Sequence, residues 1–197
     1  NTVHESAIGN GGYNVPPYGG DLAQCGSVLV LAFVESGGKA PDTSCLRHIR
    51  PVRPVPMIAK NWREVAPARA QSGNVADAMR LRLASAAAET VGDAIARYGV
   101  ATQNVGGGLQ GGRFTVAQTR TGNLLTLTAL KWTSDLAVSG KVDWNQITGN
   151  IVAKIRLAAD GHGGTLAISW NDRQTNAQAV IRGQIDGKAV FATRIAP

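Results

Sequence analysis

Two-residue alternation dominates the second half of the chain and leaves it few ways to fold. Leu136, Val138, Gly140, Val142 and Trp144 alternate with Ala137, Ser139, Lys141 and Asp143. The same beat runs through Ile151, Ala153, Ile155 and Leu157, and through Ala189, Phe191, Thr193 and Ile195. Successive side chains of a strand point to opposite faces, so these runs read as half-buried strands. Thr148-Gly149-Asn150, Asp160-Gly161 with Gly163-Gly164, and Asp186-Gly187 separate them. Asp-Gly between alternating runs signals a hairpin. The spacing predicts an antiparallel meander of about seven strands from Arg113 to Ile195. Its apolar face needs a cover, either by closure into a barrel or by a helix.

Residues 74–98 offer that helix. Asn74 stands at the cap position, Asp77 in the first turn and Gly99 past the end. Leu81, Ala84, Ala88, Val91, Ile95 and Tyr98 keep helical spacing. Upstream the character differs. Residues 1–20 read as loop, because glycines and prolines bracket Tyr13 and Tyr18. From Asp21 an apolar helix runs through Cys25, Leu29 and Phe33 until Ser36-Gly37-Gly38 stops it. Prolines 41, 51, 54, 56 and 67 make residues 39–70 an extended connector. The expected class is α+β, divided into residues 1–70 and a helix-plus-β accessory domain over 71–197.

With 44% hydrophobic and 17% charged residues the chain is a folded protein. Its formal charge of +7 could draw it to acidic partners. The cations are scattered, however, with Arg47, Arg50 and Arg53 the densest group, and aromatics make up 5%. Nucleic acid is therefore not expected as a partner. No apolar run approaches the roughly 18 residues of a membrane span. The opening Asn1-Thr2-Val3 reads as a processed end. Cys25 and Cys45 form no metal-spaced cluster. They are either two buried thiols or a disulfide, and the composition favours the disulfide. Closing that loop would contribute about 3 kcal/mol and imply an oxidising, extracellular setting.

Sequence motifs for chemistry are sparse. The chain has no Gly-x-Ser-x-Gly elbow, P-loop, dinucleotide fingerprint, HExxH or EF-hand loop, and no metal or cofactor is implied. His162 falls in a hairpin tip and reads as an exposed turn residue. His48 reads as a surface or packing residue of the connector. His4 precedes a flexible Gly-rich loop and then a helix, the place where a hydrolase puts its general base, although spacing alone favours an ordinary loop residue.

The order Thr2-Val3-His4-Glu5-Ser6-Ala7, Cys25, the helix through Phe33-Val34, Gly37-Gly38, Pro41 and Asp42-Thr43-Ser44-Cys45 resembles the C-terminal segment of secreted tripeptidyl-aminopeptidase-like α/β-hydrolases. The likeness covers residues 1–50. Val3 stands where that family usually has glycine, and the insert between His4 and Asp21 is longer than usual. The resemblance implies that residues 1–70 complete an α/β-hydrolase core, with His4 as catalytic histidine and Cys25–Cys45 pinning the last helix behind it. The triad order Ser, Asp or Glu, His then places the nucleophile on an N-terminal hydrolase portion of the same precursor. The 197-residue chain would be inactive by itself. It also implies peptide or ester substrates, with Tyr13 and Tyr18 at the entrance. The competing expectation is a non-enzymatic, secreted β-rich binding module in which residues 106–197 act through an exposed strand edge or loop tips and the N-terminal half is a stalk.

Overall fold

The computed structural model describes residues 20–44, 58–100, 103–174 and 176–197. Contacts divide the chain into two compact units, Asn1–Pro56 and Met57–Pro197. In the first, helix α1 spans Gly20–Glu35. It ends as glycine dictates: Gly38 N–H donates to the Phe33 carbonyl at 2.9 Å, with Gly37 at a φ of 67°. Cys25 is buried at 4% exposure, whereas Val28, Leu31, Phe33 and Val34 are each at least half exposed. No helix among the described residues is long and apolar enough to cross a membrane.

The second unit is one sheet curled about one helix. Helix α2 spans Ala78–Val100. The nine strands are β1 (Arg69–Ala70), β2 (Val105–Gly107), β3 (Arg113–Gln118), β4 (Gly122–Leu130), β5 (Ala137–Asn145), β6 (Asn150–Ala159), β7 (His162–Asn171), β8 (Gln178–Ile185) and β9 (Lys188–Ile195). They pair antiparallel in the order β1-β9-β8-β7-β6-β5-β4-β3-β2. Alternation fixes which residues face in. Val116, Leu125, Val142, Ala153, Ile168 and Ile181 lie side by side in register, and all are buried.

The helix fills the hollow. Leu83, Ala84, Ala86, Ala87 and Ala88 have no exposed surface, so every side of α2 is covered at that level. One helix touches β2, β4 and β5 as well as β8 and β9. A flat sheet could not reach round it in this way. Alanine supplies both the helix propensity and the thin profile that lets strands close in. Gly140 and Gly183 assist the bend. Both occupy the inner row that runs Leu127, Gly140, Ile155, Leu166, Gly183, Val190. Their φ values are 149° and 146°, and a Cβ would lie 2.2 Å from the Lys154 carbonyl oxygen or 2.1 Å from that of Thr165. Glycine at such points lets a sheet fold sharply.

Several expectations from the sequence need correction. The α+β class, with residues 1–70 completing an α/β-hydrolase core, is overturned. The described residues form a β-rich fold, one nine-stranded antiparallel sheet with two α-helices. A hydrolase core needs parallel strands with helices on both faces; every strand pairing here is antiparallel. The two strands outside the 113–195 meander, β1 and β2, are only two and three residues long. That is too short to show alternation. Residues 58–70 belong to the β unit, where Trp62, an apolar side chain of the connector that calls for burial, is 1% exposed in the shared core.

The helix start also moves. Asp77 caps α2 by accepting from Arg80 N–H at 2.9 Å. Asn74 instead accepts from Phe191 N–H at 3.1 Å and donates to the Ala76 carbonyl at 2.8 Å. It stitches the chain to the edge of β9, where Gln71 N–H also donates to the Phe191 carbonyl.

Candidate functional site: a basic row across the outer sheet face

The residues that the sequence nominated give little to build on. His4, Tyr13, Tyr18, His48 and Cys45 lie outside the described residues. Cys25 sits in α1, buried and not a free thiol. The Cys25–Cys45 pairing therefore stays an expectation.

His162, read as an exposed turn residue, is half-buried. Its Nδ1 lies 2.8 Å from Asp186 Oδ2, and its ring meets Trp62 edge-on with centroids 5.9 Å apart. Asp186 accepts in addition from Gly163 N–H at 2.9 Å and lies 3.2 Å from an Arg80 guanidinium nitrogen. Arg80 also reaches Asp77. The Gly163 amide, then His162 and Arg80, hold the Asp186 carboxyl below its ordinary value of 3.8, against the desolvation that raises it. Among the described residues no hydroxyl or thiol is hydrogen-bonded to this imidazole. The cluster ties two hairpin ends to the start of α2.

The outer face of the sheet carries a different kind of constellation. Strand register lines up Thr115, Thr126, Lys141, Lys154, Ala167, Arg182 and Phe191, one from each of β3 to β9. All but the half-buried Phe191 are exposed. In the next row Ser139, Arg156 and Thr165 stand side by side. Four cations, Lys141, Lys154, Arg156 and Arg182, thus gather over four consecutive strands. None of them forms an ion pair among the described residues. The acidic residue nearest in register is Asp143, beside Val152 in the following row.

A shallow depression of about 750 Å³ opens among these side chains, lined by Ser139, Lys154, Arg156, Thr165, Ala167 and Arg182. Gly140 and Gly183 border it, so the bends that wrap the sheet round α2 also shape this surface. Arg182 is steadied from one side: its guanidinium carbon lies 4.6 Å from the Phe191 ring centroid.

Cations on adjacent strands directly opposite one another repel. Lys141 and Lys154 are such a pair. The surface they share is suited to an anion lying across the strands, with hydroxyls beside it to accept or donate hydrogen bonds. Among the described residues no group of three or more acidic, histidine or cysteine side chains is arranged to hold a metal ion.

Sequence reading missed this row because its members are far apart along the chain. The signal was present nonetheless. Each cation occupies an outward position of an alternating run, and folding the hairpin at Thr148-Gly149 brings Lys141 onto Lys154. Comparison with known proteins finds no family model, no curated protein and no solved structure that matches the chain.

Proposed function

We propose that residues 57–197 act as a non-enzymatic binding module that takes an anionic partner on the outer face of its sheet. One observation carries the reading: Lys141, Lys154, Arg156 and Arg182 stand together without carboxylate partners, at a cost in mutual repulsion that an anion would relieve. The enclosed helix supports it, since α2 fills the inner face of the sheet and the cations therefore stand on the outer one. A location outside the cell belongs to the same proposal.

The test is a titration of the full chain against fluorescein-labelled polyglutamate. Saturable binding that weakens as salt rises, and falls at least tenfold in a Lys154→Glu/Arg182→Glu variant of unchanged circular dichroism, supports the reading. Equal binding by the variant overturns it.

A serine hydrolase using His4 as general base remains a second proposal. It is favoured by one observation, the exposure of Val28, Leu31, Phe33 and Val34 on α1, as on a helix that packs against further polypeptide. Labelling of the natural protein by a fluorophosphonate probe, lost on His4→Ala, supports it. Absence of labelling counts against it.

A further inference from the structure

Building on the anion-binding reading, we infer that the partner is a linear acidic polysaccharide, a sugar chain bearing carboxylates or sulfates, that crosses the strands along the row from Thr115 to Phe191. The row itself sets the shape of its ligand. Six inter-strand steps of about 4.8 Å give a track of about 29 Å, long enough for several monomers of an extended polymer.

The chemistry changes along the track in a sequence that suits a polyhydroxylated anion. Exposed threonine hydroxyls stand at one end, Thr115 and Thr126. Lys141 and Lys154 follow as point charges. Ala167 leaves room for the bulk of a ring over the depression, and Arg182 then offers its planar donor fork. Thr165, in the adjoining row, lies beside Arg156 and adds a hydroxyl to the lining of the depression. Charges without hydroxyls would suit any polyanion. The combination of the two favours one whose own surface is mostly hydroxyl.

Two other polyanions fit the row less well. Single-stranded nucleic acid is held by aromatic platforms on which bases stack. The aromatic of this row is Phe191, and its ring is already covered by Arg182. An anionic membrane surface calls for exposed apolar side chains beside the cations that could enter the lipid. Between Lys141 and Arg182 the row offers only the methyl of Ala167, and the adjoining row adds the exposed Val152, a single side chain where lipid entry calls for several.

The experiment compares labelled polygalacturonate, heparin, a thymidine 30-mer and vesicles containing phosphatidylserine, all with the full chain at one salt concentration. The expected result is that polygalacturonate or heparin binds at least tenfold more tightly than the oligonucleotide or the vesicles. Thr126→Val with Thr165→Val should lower that preference at least threefold, with affinity for the polysaccharide falling more than affinity for polyglutamate. Tighter binding of the oligonucleotide or of the vesicles overturns the polysaccharide assignment but keeps the anion-binding reading. A threonine variant that retains the full preference also overturns it. Failure of all four probes together with polyglutamate overturns both.

Discussion

Lys141 and Lys154 face each other across β5 and β6, one hairpin apart, with Val142 and Ala153 buried beneath the same pair of strands. Opposed like charges on neighbouring strands destabilise a sheet, and opposite charges stabilise it by about 0.2–1 kcal/mol. Lys141→Glu should therefore raise the urea midpoint, by an amount equivalent to roughly 0.5–1 kcal/mol, while lowering affinity for polyglutamate. Stability and binding should move in opposite directions. A variant that loses both would show that the lysine serves the fold.

Gly140 and Gly183 should resist substitution for a reason unconnected with ligand. At φ values near 149° and 146°, and with a neighbouring carbonyl oxygen about 2 Å from any added Cβ, alanine meets both strain and overlap. Gly140→Ala or Gly183→Ala should cost about 2–4 kcal/mol. Thermal unfolding followed by circular dichroism would show the drop. An alanine variant within about 0.5 kcal/mol of the parent would mean that the bend round α2 does not depend on these positions.

Arg194 on β9 bonds to Glu89 of α2 and donates to the Ser85 carbonyl at 2.9 Å. Both side chains are 20% exposed. This pair clamps the helix to one side of the curled sheet. Removing one partner leaves a mostly buried charge, though solvent still reaches it, so Glu89→Gln should cost about 1–2 kcal/mol. Arg194→Met keeps the length of the side chain and removes the charge. A double variant that recovers part of the loss in chemical denaturation would confirm the coupling.

Acid should weaken the fold at the hairpin ends. Asp186 and Asp77 both have carboxyls held below their ordinary value of 3.8, Asp186 chiefly by the Gly163 amide and Asp77 chiefly by the Arg80 amide. A depressed folded-state value means that the stabilisation is present above the unfolded value and is lost as pH falls through the folded one. Stability should decline as pH falls below about 4. Asp186→Asn should be less stable than the parent at neutral pH and show a shallower decline over that acid range. Urea titrations at a series of pH values read this slope. An unchanged slope in the variant would remove Asp186 from the account.

How far the sequence carried the fold follows from where its signals are local. Alternation is local, so residues 136–144 and 151–157 could be assigned to strands and faces from their own letters. Burial of α2 on every side was less visible, because Ala84, Ala86, Ala87 and Ala88 look the same on a surface helix as inside a curled sheet. Asn74 and Asp77 both suit a cap. Tertiary bonds from Asn74 to Phe191 decided between them. The sheet edges escaped because β1 and β2 take their extended form from a neighbour rather than from a pattern of their own. The candidate site was hidden for a related reason. Density of charge along the chain picks out Arg47, Arg50 and Arg53. The row that matters joins residues through register, and register depends on the turns between strands.

The most direct test is a nitrogen-15 correlation spectrum of the full chain titrated with a short galacturonate oligomer. Binding along the outer row should shift the amides of Lys141, Lys154, Ala167 and Arg182, leaving those of Leu83 and Val91 within α2 unmoved. Shifts confined to the α1 region or to the His162–Asp186 hairpin ends, or no shifts at any ligand concentration, would contradict the account.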